Sequence, residues 1–164
     1  MKAMKRILAV TLALAAILSL SVFAGATESG PEIIEGEDFI IIKQDGPSIM
    51  PREATLIDTI HYTGKSHYTK SVRCRENEGN ALNVYVDNRE GNGTLNVFLT
   101  VDGGTVSGED QQKMQLPAGK AQTYIIMHKD KSDLGGTVVD IEIGSNDGHE
   151  MNFSLRARQY LYGG

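Results

Sequence analysis

The chain has 164 residues, is 40% hydrophobic and 23% charged, and carries a formal net charge of −5. That length suits one domain and that balance suits a globular chain, which excludes most two-domain enzymes and intrinsic disorder. The single Cys excludes a disulfide-stapled scaffold within one chain and a Cys-rich zinc module.

Residues 1–26 read as a secretory signal peptide. Lys2, Lys5 and Arg6 form a positive n-region, residues 7–20 are an apolar run, and Ala24-Gly25-Ala26 is a small-x-small cleavage site. The apolar run is shorter than the roughly 20 residues a membrane span needs. Cleavage after Ala26 removes three bases and no acid, leaving 138 residues with 13 bases, 21 acids and a net charge of −8. Phosphate repulsion then argues against nucleic acid as a partner. No second long apolar run follows, so no membrane partner is expected after cleavage, and the protein is expected to be secreted or at the cell surface.

Residues 27–38 hold five acids and no base and read as a solvated acidic leader or linker. Ile33-Ile34 leaves room there for a short edge strand. Residues 39–164 read as the folded domain. Residues 39–43 form a compact β-branched run expected to be a buried strand. Residues 44–53 contain Gly46, Pro47 and Pro51 and read as a loop. Residues 54–62 are expected as a strand, with a short helix after Pro51 as the competing reading.

From there period-2 alternation dominates. Residues 68–75 put Val72 and Cys74 inward and Thr69, Ser71, Arg73 and Arg75 outward. Residues 81–87 put Leu82, Val84 and Val86 inward, and residues 94–101 do the same with Leu95, Val97, Leu99 and Val101. Residues 111–116 and 121–127 flank Pro117-Ala118-Gly119, a turn sequence expected to make a hairpin. Residues 137–143 and 151–160 flank a polar loop, with Val139, Ile141, Ile143, Met151, Phe153, Leu155 and Ala157 inward. Pairing Asp87 with Thr94, and Ile143 with Met151, matches inward residues in both presumed hairpins, and a one-residue slip would expose them all. About eight short strands at regular spacing predict an all-β, two-sheet antiparallel β-sandwich, immunoglobulin-like or jelly-roll-like.

The catalytic imitations are weak. Gly64-Lys65-Ser66 lacks the first glycine of a phosphate-binding loop, since Thr59 stands there. Cys74 with His61 or His67 resembles a thiol nucleophile and base, but Cys74 shares the core face of Val72 and reads as a buried thiol. The four His form no metal-ligand pair at helical spacing. Residues 130–135 come nearest to a calcium loop, but Leu134 takes a ligand position. No cofactor is therefore expected, calcium being the one metal that the loop acids approach.

Two surface features stand out. The presumed hairpin places Tyr85 and Phe98 outward as diagonal neighbours, a stacking platform for a sugar ring. Residues 59–75 carry Lys65, Lys70, Arg73, Arg75, His61 and His67 and no acid. Arg73 and Arg75 would lie on one side of a strand about 7 Å apart. Arg donors in that layout suit a polyanion, with binding that weakens in salt and strengthens below about pH 6.5 as His gains charge. The expectation is a non-catalytic exported binding or cell-surface accessory protein, for an anionic wall polymer or a polysaccharide. The competing classes are a secreted hydrolase using loop carboxylates or His, and a self-associating structural protein using the edge near residues 39–43.

Overall fold

Alternating β-branched residues and frequent turn residues leave this chain few options besides strands, and the computed structural model is built from them. It describes residues 31–48, 53–102, 104–105, 114–145 and 147–163. The expected signal peptide and its cleavage site lie outside these residues. The strands are β1 (Glu32–Glu35), β2 (Phe39–Asp45), β3 (Ala54–Gly64), β4 (Tyr68–Arg73), β5 (Ala81–Asp87), β6 (Leu95–Val101), β7 (Gly104–Thr105), β8 (Gln115–Leu116), β9 (Ala121–His128), β10 (Val138–Ser145) and β11 (Met151–Tyr160). No α-helix occurs among the described residues.

The strands form two antiparallel sheets. The first, sheet A, runs β1-β2-β9-β5-β11-β3. The second, sheet B, runs β4-β10-β6-β7, with β8 also pairing β6. The predicted two-sheet sandwich is therefore observed. From β3 to β6, and again from β8 to β11, each strand lies in the sheet opposite its predecessor. This is the double-sheet jelly-roll way of winding, with almost no adjacent hairpins.

That winding overturns the hairpins. β5 pairs with β9 and β11, whereas β6 pairs with β10, β7 and β8. β10 pairs with β4 and β6, and β11 with β3 and β5. The inward residues are right: Leu82, Val84, Val86, Leu95, Val97, Leu99, Ile141, Ile143, Phe153 and Leu155 all lie in one core. The two strands of each presumed hairpin lie in opposite sheets, not side by side, because alternation fixes a face and says nothing about which strand is adjacent. Pro117-Ala118-Gly119 does form a turn, with Lys120 N–H donating to Pro117 O at 3.3 Å and Gly119 at φ +79°. It too joins the two sheets, from β8 to β9.

Buried amides secure the crossings where ladder bonds end. Asn88 donates through Nδ2 to Gly93 O and Leu116 O, and its backbone carbonyl accepts from Gly91 N–H and Gly119 N–H. Gln159 accepts from Arg75 N–H and donates to Arg75 O and Gly79 O. Gly79 sits so close to β11 that a Cβ would stand 2.1 Å from Tyr160 O.

β1 falls inside the stretch read as leader and pairs with β2. β2 is thus paired on both sides, by β1 and β9, so the edge near residues 39–43 that the self-association reading needed is occupied. β1 is then one edge of sheet A and β3 the other; β3 carries two register irregularities opposite β11, between Leu155 and Arg158. Such bulges discourage further pairing.

Candidate functional site

The eight sequence-selected residues separate into three surfaces. Tyr85 stands on the outer face of sheet A and Phe98 on the outer face of sheet B, so the expected platform does not exist. The presumed β5–β6 hairpin was the reason for placing them together. Tyr85 is also 7% exposed, with the Arg156 guanidinium 4.5 Å above its ring centroid. Its hydroxyl donates to Asp87 Oδ2 at 3.1 Å. Tyr85 is therefore a brace for Asp87 and no sugar can stack on it. Asp140, on β10 of the other sheet, accepts from the Ser71 hydroxyl and does not pair with Arg156.

β4 is an edge strand of sheet B, which leaves Lys70 and Arg73 exposed; Lys65 and His67 are exposed in the turn before it, and Arg75 just after it. Arg73 Nη1 donates to Gly136 O at 3.0 Å, and Arg75 Nη2 reaches Thr55 O of β3 at 3.4 Å. The two arginines thus diverge, Arg73 along sheet B and Arg75 across the open side of the sandwich. Neither Lys65, Lys70, Arg73 nor Arg75 holds a carboxylate among the described residues. By contrast Lys43, Arg89 and Arg158 are paired with Glu32, Asp87 and Glu53. The stretch is acid-free only along the chain. Neighbouring β10 brings Glu142 to His67 Nδ1 at 2.6 Å and Asp140 to Ser71.

His61 lies on the outer face of sheet A beside a feature that sequence reasoning missed. A depression of about 500 Å³ is lined by His61, Asp87, Arg89, Glu90, Asn152 and Ser154. It forms because Ser154 lies between His61 and Asp87 in the ladder. Arg89 binds Asp87 through Nε at 2.9 Å and Nη2 at 2.5 Å. That ion pair holds the Asp87 carboxyl below the usual range, against the opposing effect of burial. Ser154 Oγ and His61 Nδ1 share a hydrogen bond of 2.9 Å. This imitates a nucleophile and base, but Asp87 is engaged by Arg89 and Tyr85 and does not orient the imidazole. No spacing rule could have assembled these residues from three separate segments.

A larger depression of about 740 Å³ lies at the opposite end, bordered by Asp38, Phe39, Asp102, His128 and Asp130. Two of its acids serve the backbone. Asp102 Oδ1 accepts from Val138 N–H, and Asp130 Oδ1 from Ser132 N–H. The calcium-like stretch is a pair of such turns, with Asp133 Oδ1 accepting from Gly135 N–H and Leu134 fully buried as a core plug. Among the described residues no three His, Cys, Asp or Glu converge on a metal position.

Cys74 is 2% exposed. Burial, reinforced by Asp102 and Asp133, pushes its thiol up to about 12, which suppresses the reactive thiolate. No protein-family model, no curated protein and no solved structure matches this chain.

Proposed function

We propose that the protein is an exported, non-catalytic binding module for an anionic polymer of the cell exterior, such as a wall polymer or an acidic polysaccharide. The observation that carries the reading is the set of four exposed cations, Lys65, Lys70, Arg73 and Arg75, that hold no carboxylate among the described residues. A cation with a partner carboxylate must give it up to bind a polyanion; these four need not. Edge placement of β4 favours a long ligand, because a polymer can run beside the sandwich without entering a cavity. Glu142 and Asp140 stand next to the edge, and their pairing with His67 and Ser71 softens their repulsion.

The hydrolase reading has less support. Asp87, Asp130 and Asp147 are all shifted downward, each chiefly by a side-chain hydrogen bond, to Arg89, Ser132 and His149. A general acid requires the opposite shift.

Calorimetry against polyphosphate and against a neutral glucan tests the reading. Polyphosphate should bind, weaken steeply between low and physiological salt as screening increases, and fail with Lys65→Ala plus Arg73→Ala while the fold stays intact. Salt-independent binding, or full binding by that double variant, would remove the polyanion reading.

A further inference from the structure

We infer that the depression on the outer face of sheet A is a second, separate binding site, built for a neutral hydroxyl-rich ligand such as a saccharide unit. The inference stands apart from the polyanion reading, since none of Lys65, Lys70, Arg73 or Arg75 lines this depression.

Three observations converge. The site is concave, about 500 Å³, which is the size range of small-ligand clefts. Its polar groups are held in place before any ligand arrives. Asp87 is fixed by the Arg89 fork and the Tyr85 hydroxyl. Asn152 is held at 3.4 Å both by the Thr63 hydroxyl on its Oδ1 and by Glu90 O under its Nδ2, and Ser154 is held by His61. Preformed polar groups lower the ordering cost of binding.

The third observation is the mixture of charges and bonding roles. Asp87 and Glu90 oppose an anion, while Arg89 opposes a cation. Among the described residues, the Arg89–Asp87 pair leaves Arg89 Nη1 as a donor, Ser154 Oγ and Asn152 Oδ1 each accept or share only one hydrogen bond and keep acceptor capacity, and His61 Nε2 faces no partner. A ligand hydroxyl both donates and accepts, so vicinal hydroxyls can satisfy such an alternating set, whereas a carboxylate, a phosphate or an ammonium can satisfy only half of it.

The test is an amide-resolved NMR titration of the protein with three neutral tetrasaccharides, of glucose, mannose and N-acetylglucosamine. The expected result is saturable shifts confined to residues 61, 87–90 and 152–154 with at least one of them, unchanged in 0.5 M NaCl. His61→Ala and Asn152→Ala should each weaken that binding about tenfold, the effect of one lost hydrogen bond to ligand. Lys70→Ala plus Arg75→Ala should leave it unchanged while lowering polyphosphate affinity, which separates failure of this site from failure of the polymer edge. Absence of shifts with all three sugars at 10 mM would overturn the inference, as would shifts located elsewhere. Hydrolysis of p-nitrophenyl acetate that disappears in Ser154→Ala would replace it with a catalytic Ser154–His61 pair.

Discussion

The two outer faces of the sandwich differ although the strands beneath them share one core. On sheet B, β6 alternates strictly between buried and half-exposed positions, leaving Asn96, Phe98 and Thr100 half-exposed. On sheet A, β5 is buried from Ala81 through Val86, and β9 from Gln122 through Met127. Its outer side holds a second apolar cluster of Ala81, Ile125, Met127 and Tyr160, joined by Ile40, Ile42 and Tyr162. The β2–β3 connection contributes to the cover, since Thr123 donates to Gly46 O, Asn83 to Ser48 O, and Arg158 to Glu53. The β5–β9 part of sheet A is therefore covered on both sides, as central strands of layered folds are, whereas β11 and β3 of the same sheet and β6 of sheet B keep half-exposed or exposed outer positions. Where a residue's burial comes from a connection passing overhead, its own strand carries no record of it.

The sharpest way to break this comparison is a charge on each outer face. Met127→Asp should cost several kcal/mol, close to the cost of Val97→Asp in the shared core, because each buries an unpaired carboxylate. Thr100→Asp should stay within about 0.5 kcal/mol, as exposed substitutions do. Urea denaturation measures all three. A small cost for Met127→Asp would mean that the outer side of sheet A is wet.

The buried amides come next in size. Gln159→Leu strips the partners from Arg75 N–H, Arg75 O and Gly79 O, and should cost about 1–3 kcal/mol. A matched change on sheet B, Gln115→Leu at a half-exposed position, should cost much less by the same denaturation assay.

A smaller effect separates the two aromatics. Tyr85→Phe removes the hydrogen bond to Asp87 and should cost about 1 kcal/mol, whereas Phe98→Tyr adds a hydroxyl on the wetter face and should be close to neutral. If both substitutions were neutral, Tyr85 would not be bracing Asp87.

These expectations show which parts of the structure could be read from the chain. Inward residues such as Val84, Val97, Ile141 and Phe153 were legible because alternation records a face. Partnership was not legible: the matched registers of Asp87 with Thr94 and of Ile143 with Met151 are equally consistent with residues meeting across a core. Cation content of residues 59–75 was legible, but the carboxylates of Asp140 and Glu142 that flank it come from a strand about 70 positions away in sequence. The depression around Ser154 was invisible because His61, Asp87 and Asn152 become neighbours only through pairing of β11 with β3 and β5.

The shallowest effect concerns Cys74, on the side of the core shared by both sheets. Folded, its thiol keeps the proton up to about 12; unfolded, it loses the proton near 8.5. Unfolding above about pH 8.5 therefore releases a proton, and stability should fall with rising pH across that window. Cys74→Ser should flatten this alkaline slope. In the native state the thiol should also resist a maleimide that labels it fully in denaturant, and equal labelling rates would contradict its burial.

The position of β11 has a consequence for timing. This strand lies between β5 and β3, so sheet A stays split until the last strand of the winding arrives. Before that moment the chain has few local contacts to hold it, and each remaining one closes a long loop, which slows folding. On a ribosome the polypeptide would stay loose and open until residues 151–160 had emerged, and could then collapse only as a whole.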